Sequence, residues 1–220
     1  MTLPKTIILA GSFANWPLED LRDVVRRADR SGVEAVVVPD RIAPASGGEA
    51  WPDALILIGW LAAATDRIKL VGWVSSLGHQ PYNLARRLAS LSLISHGRTG
   101  WLIASDGIED AFSAFSGRSR LDGVDLTARQ REFEAVVVGL WQSWDADALV
   151  FDREGARFFR PGAMHTLDHR GEHFSVRGPL NVMRAPAGEP ILWRETDLAD
   201  AVTVNTPQAA LALIGEAEGR

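Results

Sequence analysis

Residues 67–101 read RIKLVGWVSSLGHQPYNLARRLASLSLISHGRTGW, and this stretch decides the fold class. Lys69–Val74 is a short apolar run rich in β-branched and aromatic residues, which reads as a strand. Ser75, Ser76 and Gly78 break the run, and Pro81 opens an amphipathic segment that reaches Ser95. The turn HGR ends that helix, and Thr99–Ala104 starts a second apolar run of strand length. A strand, a helix and a strand in this order form a parallel pair joined by a crossover, because a parallel connection must return the chain to the same end of the sheet.

The same alternation extends in both directions. Thr6–Ala10 reads as a first strand, and Pro17 with LEDLRDVVRRADRSG reads as a helix with acids early, arginines late and Gly32 at its stop. Ala35–Pro39 is a second strand, and Asp53–Thr65 a strongly apolar helix. Toward the C-terminus the pattern predicts a long helix from Leu126 to Trp144, strands at Pro190–Trp193 and Ala201–Val204, and a helix over Pro207–Glu218 capped by Thr206. Residues 145–189 carry Gly, Pro, Arg and His without helical period and read as an excursion with a hairpin around HRGEHFSVRG. The expectation is one α/β domain over residues 1–220, with this excursion inserted. An eight-stranded (β/α)8 barrel takes about 250 residues, and the six strand signals here predict an incomplete one. An incomplete barrel leaves edges that a second chain can cover.

Composition narrows the function. The net charge is -5, and the 23 Lys and Arg are scattered among 28 Asp and Glu, so there is no basic surface for nucleic acid. The sequence has no cysteine, which excludes disulfides, thiolate metal sites and a cysteine nucleophile, and leaves redox chemistry to a cofactor. The N-terminal apolar run is too short for a membrane span, so the chain reads as cytoplasmic, without a membrane partner.

Three blocks carry a family resemblance: the opening stretch, EFEAVVVGLWQSWDADALV and HTLDHRGEHFSVRGPLNVMRAP. In this order, over roughly Leu18 to Trp193, the chain resembles the bacterial luciferase-like proteins, in the branch of the nitrilotriacetate and dibenzothiophene-sulfone monooxygenases. The resemblance implies a TIM-barrel-like (β/α)8 fold, reduced FMN delivered by a separate flavin reductase, and oxygenation of a small organic substrate with O2. It also implies cofactor-binding positions: Asp40 after strand two, Ser75 and Ser76 after strand three, and Ser105 after strand four. A carboxylate and hydroxyls at strand ends suit the polar edge of a flavin, but they suit a helix cap or a turn equally.

Departures from the family pattern also fall at strand ends. Leu102 stands where Asn is usual, Gln80 where His precedes PYN, and Thr127 where Tyr opens the long helix. Arg194–Asp197 reads RETD where a Gly/Ser-containing turn helps hold the phosphate, which sets Glu195 and Asp197 against an anion unless Arg194 compensates. The chain also stops where family members continue. Three readings stay open: a flavin-dependent monooxygenase, a non-catalytic relative that keeps the scaffold, and a subunit pairing with a full-length relative or with itself.

Other clusters have plainer readings. His165, His169 and His173 recur every four residues beside Asp168, but Gly171 and FSVRG argue for a hairpin over a metal-binding helix. Asp168 and Glu172 read as an exposed turn. Trp141 and Trp144 are expected on the long helix, while Trp73, Trp101 and Trp193 near strand ends face either a bound ring or the core. The apolar helix over Ala54–Ala64 suits a dimer face or burial within the chain.

Overall fold

The computed structural model describes residues 3–40, 51–104 and 125–218. In chain order it holds β1 (Thr6–Leu9), α1 (Leu18–Ser31), β2 (Ala35–Pro39), α2 (Ala54–Ala62), β3 (Lys69–Ser75), α3 (Pro81–Ile94), β4 (Thr99–Ala104) and α4 (Leu126–Trp141). Two hairpins follow, β5 (Leu149–Asp152) with β6 (Arg157–Phe159) and β7 (His169–Arg170) with β8 (Ser175–Val176), then β9 (Ile191–Trp193), β10 (Ala201–Val204) and α5 (Pro207–Glu218).

Six strands form one parallel sheet in the order β10-β1-β2-β3-β4-β9. Alternate side chains go to opposite faces, and here both faces are apolar. Ile7, Leu9, Val36, Val38, Leu70, Val74 and Trp101 lie in the large core shared with the helices. Ala35, Val37, Val71, Leu102 and Trp193 form a second cluster on the other face, joined by Ile8, Trp73, Ile191 and Leu198. A parallel sheet covered on both faces explains the continuous apolar strand sequences.

What curls the sheet is its last connection. β9 and β10 stand at opposite edges, yet residues 194–200 alone join them, with a 3-10 turn over Glu195–Leu198 instead of a crossover helix. So short a segment spans about 25 Å at most, so the two edges must approach one another. They do not pair, and the barrel stays open. Leu198 from this connection packs onto the inner cluster.

The N-terminal ends of the strands are tied by two charges, Asp29, which is buried, and Arg98, which is half-buried. Asp29 accepts from the N–H groups of Ile68 (2.6 Å), Arg67 (2.8 Å) and Asp66 (3.1 Å). Burial by itself would raise its pKa, but these three donors outweigh it and the carboxyl titrates below its usual value. Arg98 donates to the carbonyls of Ala62, Thr65 and Ile68, closing the end of α2 against β3.

Two expectations are corrected. The long helix ends at Trp141 and does not reach Trp144, because Ser143 Oγ donates to Leu140 O (2.6 Å) and accepts from Leu180 N (3.0 Å), which turns the chain into the excursion. Trp144 pairs instead with Met164 in an isolated bridge. The hairpin β5–β6 had no clear sequence signal: its register shifts between Leu149 and Asp152, and Phe151 and Ala156 take positive φ (47° and 50°), so the two-residue alternation is lost. The β7–β8 hairpin forms where HRGEHFSVRG predicts it. As for α2, burial within the chain accounts for its apolar sequence: it packs on β2, β3 and α3, and only Ile56 is largely exposed.

Candidate functional site at the strand ends

The C-terminal ends of β2 and β3 bring three expected residues together. Asp40 follows β2 and donates its N–H to Trp73 O (2.9 Å), so the backbone pairing continues one residue past the strand. Its Oδ1 accepts from Ala54 N (3.2 Å) at the start of α2, and its Oδ2 stands 3.1 Å from His79 Nε2. Both side chains are nearly shut off from solvent, at 9% and 13% exposure. Asp40 therefore adds an acceptor at the start of α2, whose N-cap is Asp53, and is one member of a largely buried polar pair. His79 is a residue that sequence reasoning missed. Its signal in the sequence lies one position before Gln80, in HQPYN; Gln80 itself is exposed at the start of α3 with no capping bond from its side chain.

Ser75 and Ser76 are both buried. Ser75 Oγ accepts from Leu77 N (3.2 Å), which folds the turn after β3. The Ser76 carbonyl accepts from Arg129 Nη1 (3.3 Å), so α4 is drawn to the end of β3. Arg129 lies 4.8 Å over the Phe174 ring, a cation–π contact. Burial lowers its pKa and Glu132 opposes the shift. Thr127 is exposed on the first turn of α4, whose cap is Asp125. Ser105 lies outside the described residues.

Below these polar ends the inner cluster is apolar, with Leu102 fully buried in it. Trp73 and Trp193 both turn into this interior, and neither indole N–H finds an acceptor among the described residues. An unsatisfied buried donor costs about 1–3 kcal/mol, so such an interior favours a group that brings an acceptor. Trp101 instead faces the helices, edge-on to Phe133 and Trp141.

The turn after β9 has the opposite character. Arg194 forms a bidentate pair with Glu134, with Nη1 2.7 Å from Oε2, which raises its pKa, and its N–H donates to Asp197 Oδ2 (2.7 Å). Its guanidinium is thus engaged by Glu134 of α4, with Asp197 adding to the negative field on it. Two histidines of the excursion are committed elsewhere. His165 meets Asp145 and His169 meets Glu132, each at 2.9 Å, and no group of three metal-ligating side chains forms among the described residues.

Residues 6–194 match the model of one family, the luciferase-like monooxygenases. The chain belongs to that family. It is 35% identical over 189 residues to the N-acetyl-S-(2-succino)cysteine monooxygenase of Bacillus subtilis (strain 168), covering 83% of this chain and 42% of that protein. It is 34% identical over 187 residues to component A of the nitrilotriacetate monooxygenase of Aminobacter aminovorans, covering 77% and 41%. Among solved structures it is similar to a riboflavin lyase crystallised with modified FMN and riboflavin, with a TM-score of 0.77, 26% identity, and coverage of 88% of this chain and 50% of that one. The luciferase-like chain thus spans about half the length, or less, of these relatives.

Proposed function

We propose that the strand-end crevice receives a reduced flavin by its ring system, and that the protein serves as a luciferase-like monooxygenase on a small organic substrate. The observation that carries this reading is the grouping of Asp40, His79, Ser75 and Ser76 at two adjacent strand ends, above an apolar interior where the Trp73 N–H has no acceptor among the described residues. These residues fit a planar ring with a polar edge. When bound, reduced flavin supplies two electrons to O2, so that one oxygen atom enters the substrate and the other leaves as water. The chain's own residues would bind and orient: Asp40 and His79 by hydrogen bonds at the ring edge, and the inner cluster by excluding water. The turn after β9 does not fit a phosphate, because Arg194 is held by Glu134 and two carboxylates follow. The ring is therefore the recognised part, and FMN contributes little through its phosphate at that turn.

Outside the crevice, a flavin reductase would supply the reduced cofactor, and a second chain, either a copy of this one or a longer relative, would complete the open barrel. Titration with FMN, reduced FMN and riboflavin, read by flavin fluorescence or absorbance, tests the reading. Saturable binding supports it, and no binding of any form at high micromolar concentration overturns it.

A second reading is a non-catalytic relative that keeps the scaffold and binds flavin weakly or not at all. Two observations favour it: Leu198 packs on the inner cluster, and Leu102 gives that cluster an apolar side chain where the family usually has a polar one. The same titration separates the two readings.

A further inference from the structure

From the surroundings of Arg129 we infer that it binds an oxyanion, a carboxylate or phosphate group carried by the ligand of the strand-end crevice. The inference rests on the reading of that crevice as a ligand site and adds a charge requirement to it. Arg129 lies in the first turn of α4, and its side chain reaches the end of β3, where Nη1 donates to Ser76 O (3.3 Å). Among the described residues this is its one hydrogen bond, although a guanidinium carries several N–H donors. The Phe174 ring covers one face of the group, 4.8 Å from Cζ to the centroid. A guanidinium covered on its face keeps its in-plane N–H fork for a partner, and that fork matches a carboxylate or a phosphate.

The other partly buried arginines are already engaged. Arg22 meets Glu19, Arg87 meets Asp53 (2.6 Å) and Arg184 meets Glu189 (3.4 Å), while Arg98 donates to the carbonyls of Ala62, Thr65 and Ile68 and to Thr65 Oγ1. Arg129 forms no ion pair among the described residues. Glu132 acts on its charge from the same helix, but the Glu132 oxygens already accept from His169 Nε2 and from the N–H groups of His173 and Phe174. Burial opposes the charge of Arg129 more than Glu132 supports it, so an anion brought in by a ligand gains a partner there. The turn after β9 offers no such partner, because Arg194 is paired with Glu134 and two carboxylates follow. The end of β3 is thus the part of the crevice rim suited to negative charge.

The oxyanion has two sources, the phosphate of FMN or a carboxylate of the substrate, and titrations of the wild type and Arg129→Gln separate them. If the phosphate is the source, affinity for FMN falls about tenfold or more in the variant, as for the loss of a charge-assisted bond, while affinity for riboflavin stays the same. If a substrate carboxylate is the source, both flavins bind the variant normally, and calorimetry shows binding of benzoate to the riboflavin-loaded wild type that the variant loses. Benzamide, the neutral counterpart of benzoate, should bind both proteins alike. Arg129→Lys keeps the charge without the fork, so it should lose part of the same affinity, and it supplies the comparison if Arg129→Gln does not fold. Equal affinities for FMN and for benzoate in the wild type and the folded variants overturn the inference, as does a parallel loss for FMN and riboflavin, which would make Arg129 a support for the ring. If neither flavin binds the wild type, the flavin reading fails separately. Benzoate and inorganic phosphate then decide this one: binding that depends on Arg129 supports it, and its absence overturns it.

Discussion

His79 Nε2 and Asp40 Oδ2 stand 3.1 Å apart across two strand-end loops, although the residues are separated by 39 positions in sequence. The pair joins the end of β2 to the entrance of α3, and it sits where a ligand of a parallel barrel is bound, at the C-terminal face. Replacing His79 with Ala should weaken flavin binding about tenfold, as expected for the loss of one good hydrogen bond, and should lower Tm because Asp40 Oδ2 loses its partner. Asp40→Ala should weaken binding similarly and also lower stability by about 1 kcal/mol, because Ala54 N loses its acceptor. Fluorescence titration and thermal melts measure both effects; unchanged affinity in both variants would show that this pair is not part of the site.

The turn after β9 gives a second prediction. Glu195→Gln with Asp197→Asn removes two negative charges beside Arg194, which is paired with Glu134, so affinity for FMN should rise severalfold while affinity for riboflavin, which lacks the phosphate, stays the same. The effect should shrink at high salt. A parallel rise for both flavins would show that the turn acts on the ring and not on the phosphate.

Gly100 and Trp193 predict a packing cost. A Cβ built on Gly100 would lie 2.9 Å from Cδ1 and Nε1 of the Trp193 indole and 3.1 Å from Val71. Gly100→Ala therefore has to displace the indole from the inner cluster, which costs about 1–3 kcal/mol. Urea unfolding followed by tryptophan fluorescence should show the loss in midpoint; an unchanged midpoint would mean that the inner cluster accommodates the methyl freely.

Acid stability should depend on Glu132. His169 donates to its carboxylate, the N–H groups of His173 and Phe174 add to this, and the pKa is held down to about 2 from a usual 4.5. Because the folded value lies below the unfolded one, the stabilisation is fully present above pH 4.5 and is lost as the pH falls toward 2. Over that window the wild type should lose stability faster than Glu132→Gln, while at neutral pH the variant should be the less stable. Glutamine keeps only one acceptor oxygen for these three donors, which loosens the β7–β8 hairpin, so limited trypsin digestion should cut sooner after Arg170 in the variant. Matching digestion profiles would show that Glu132 does not hold the hairpin.

The sequence by itself determined the elements and the class. Strands β1 to β4, β9 and β10 and the helices between them are legible because each buries a continuous apolar run or one helical face, and that requirement acts locally. It also determined which residues reach the strand ends, among them Asp40, Ser75 and Ser76. Tertiary structure alone decided how those residues are used. Asp40 became an acceptor for Ala54 N and a partner of His79 because α2 and α3 converge on the end of β2, and Arg194 became paired with Glu134 because α4 lies across the end of β9. Nor does any local pattern place β10 beside β1, or carry Leu198 onto the inner face. Both follow from joining opposite sheet edges with the few residues 194–200, a constraint on distance through space to which sequence periodicity is blind.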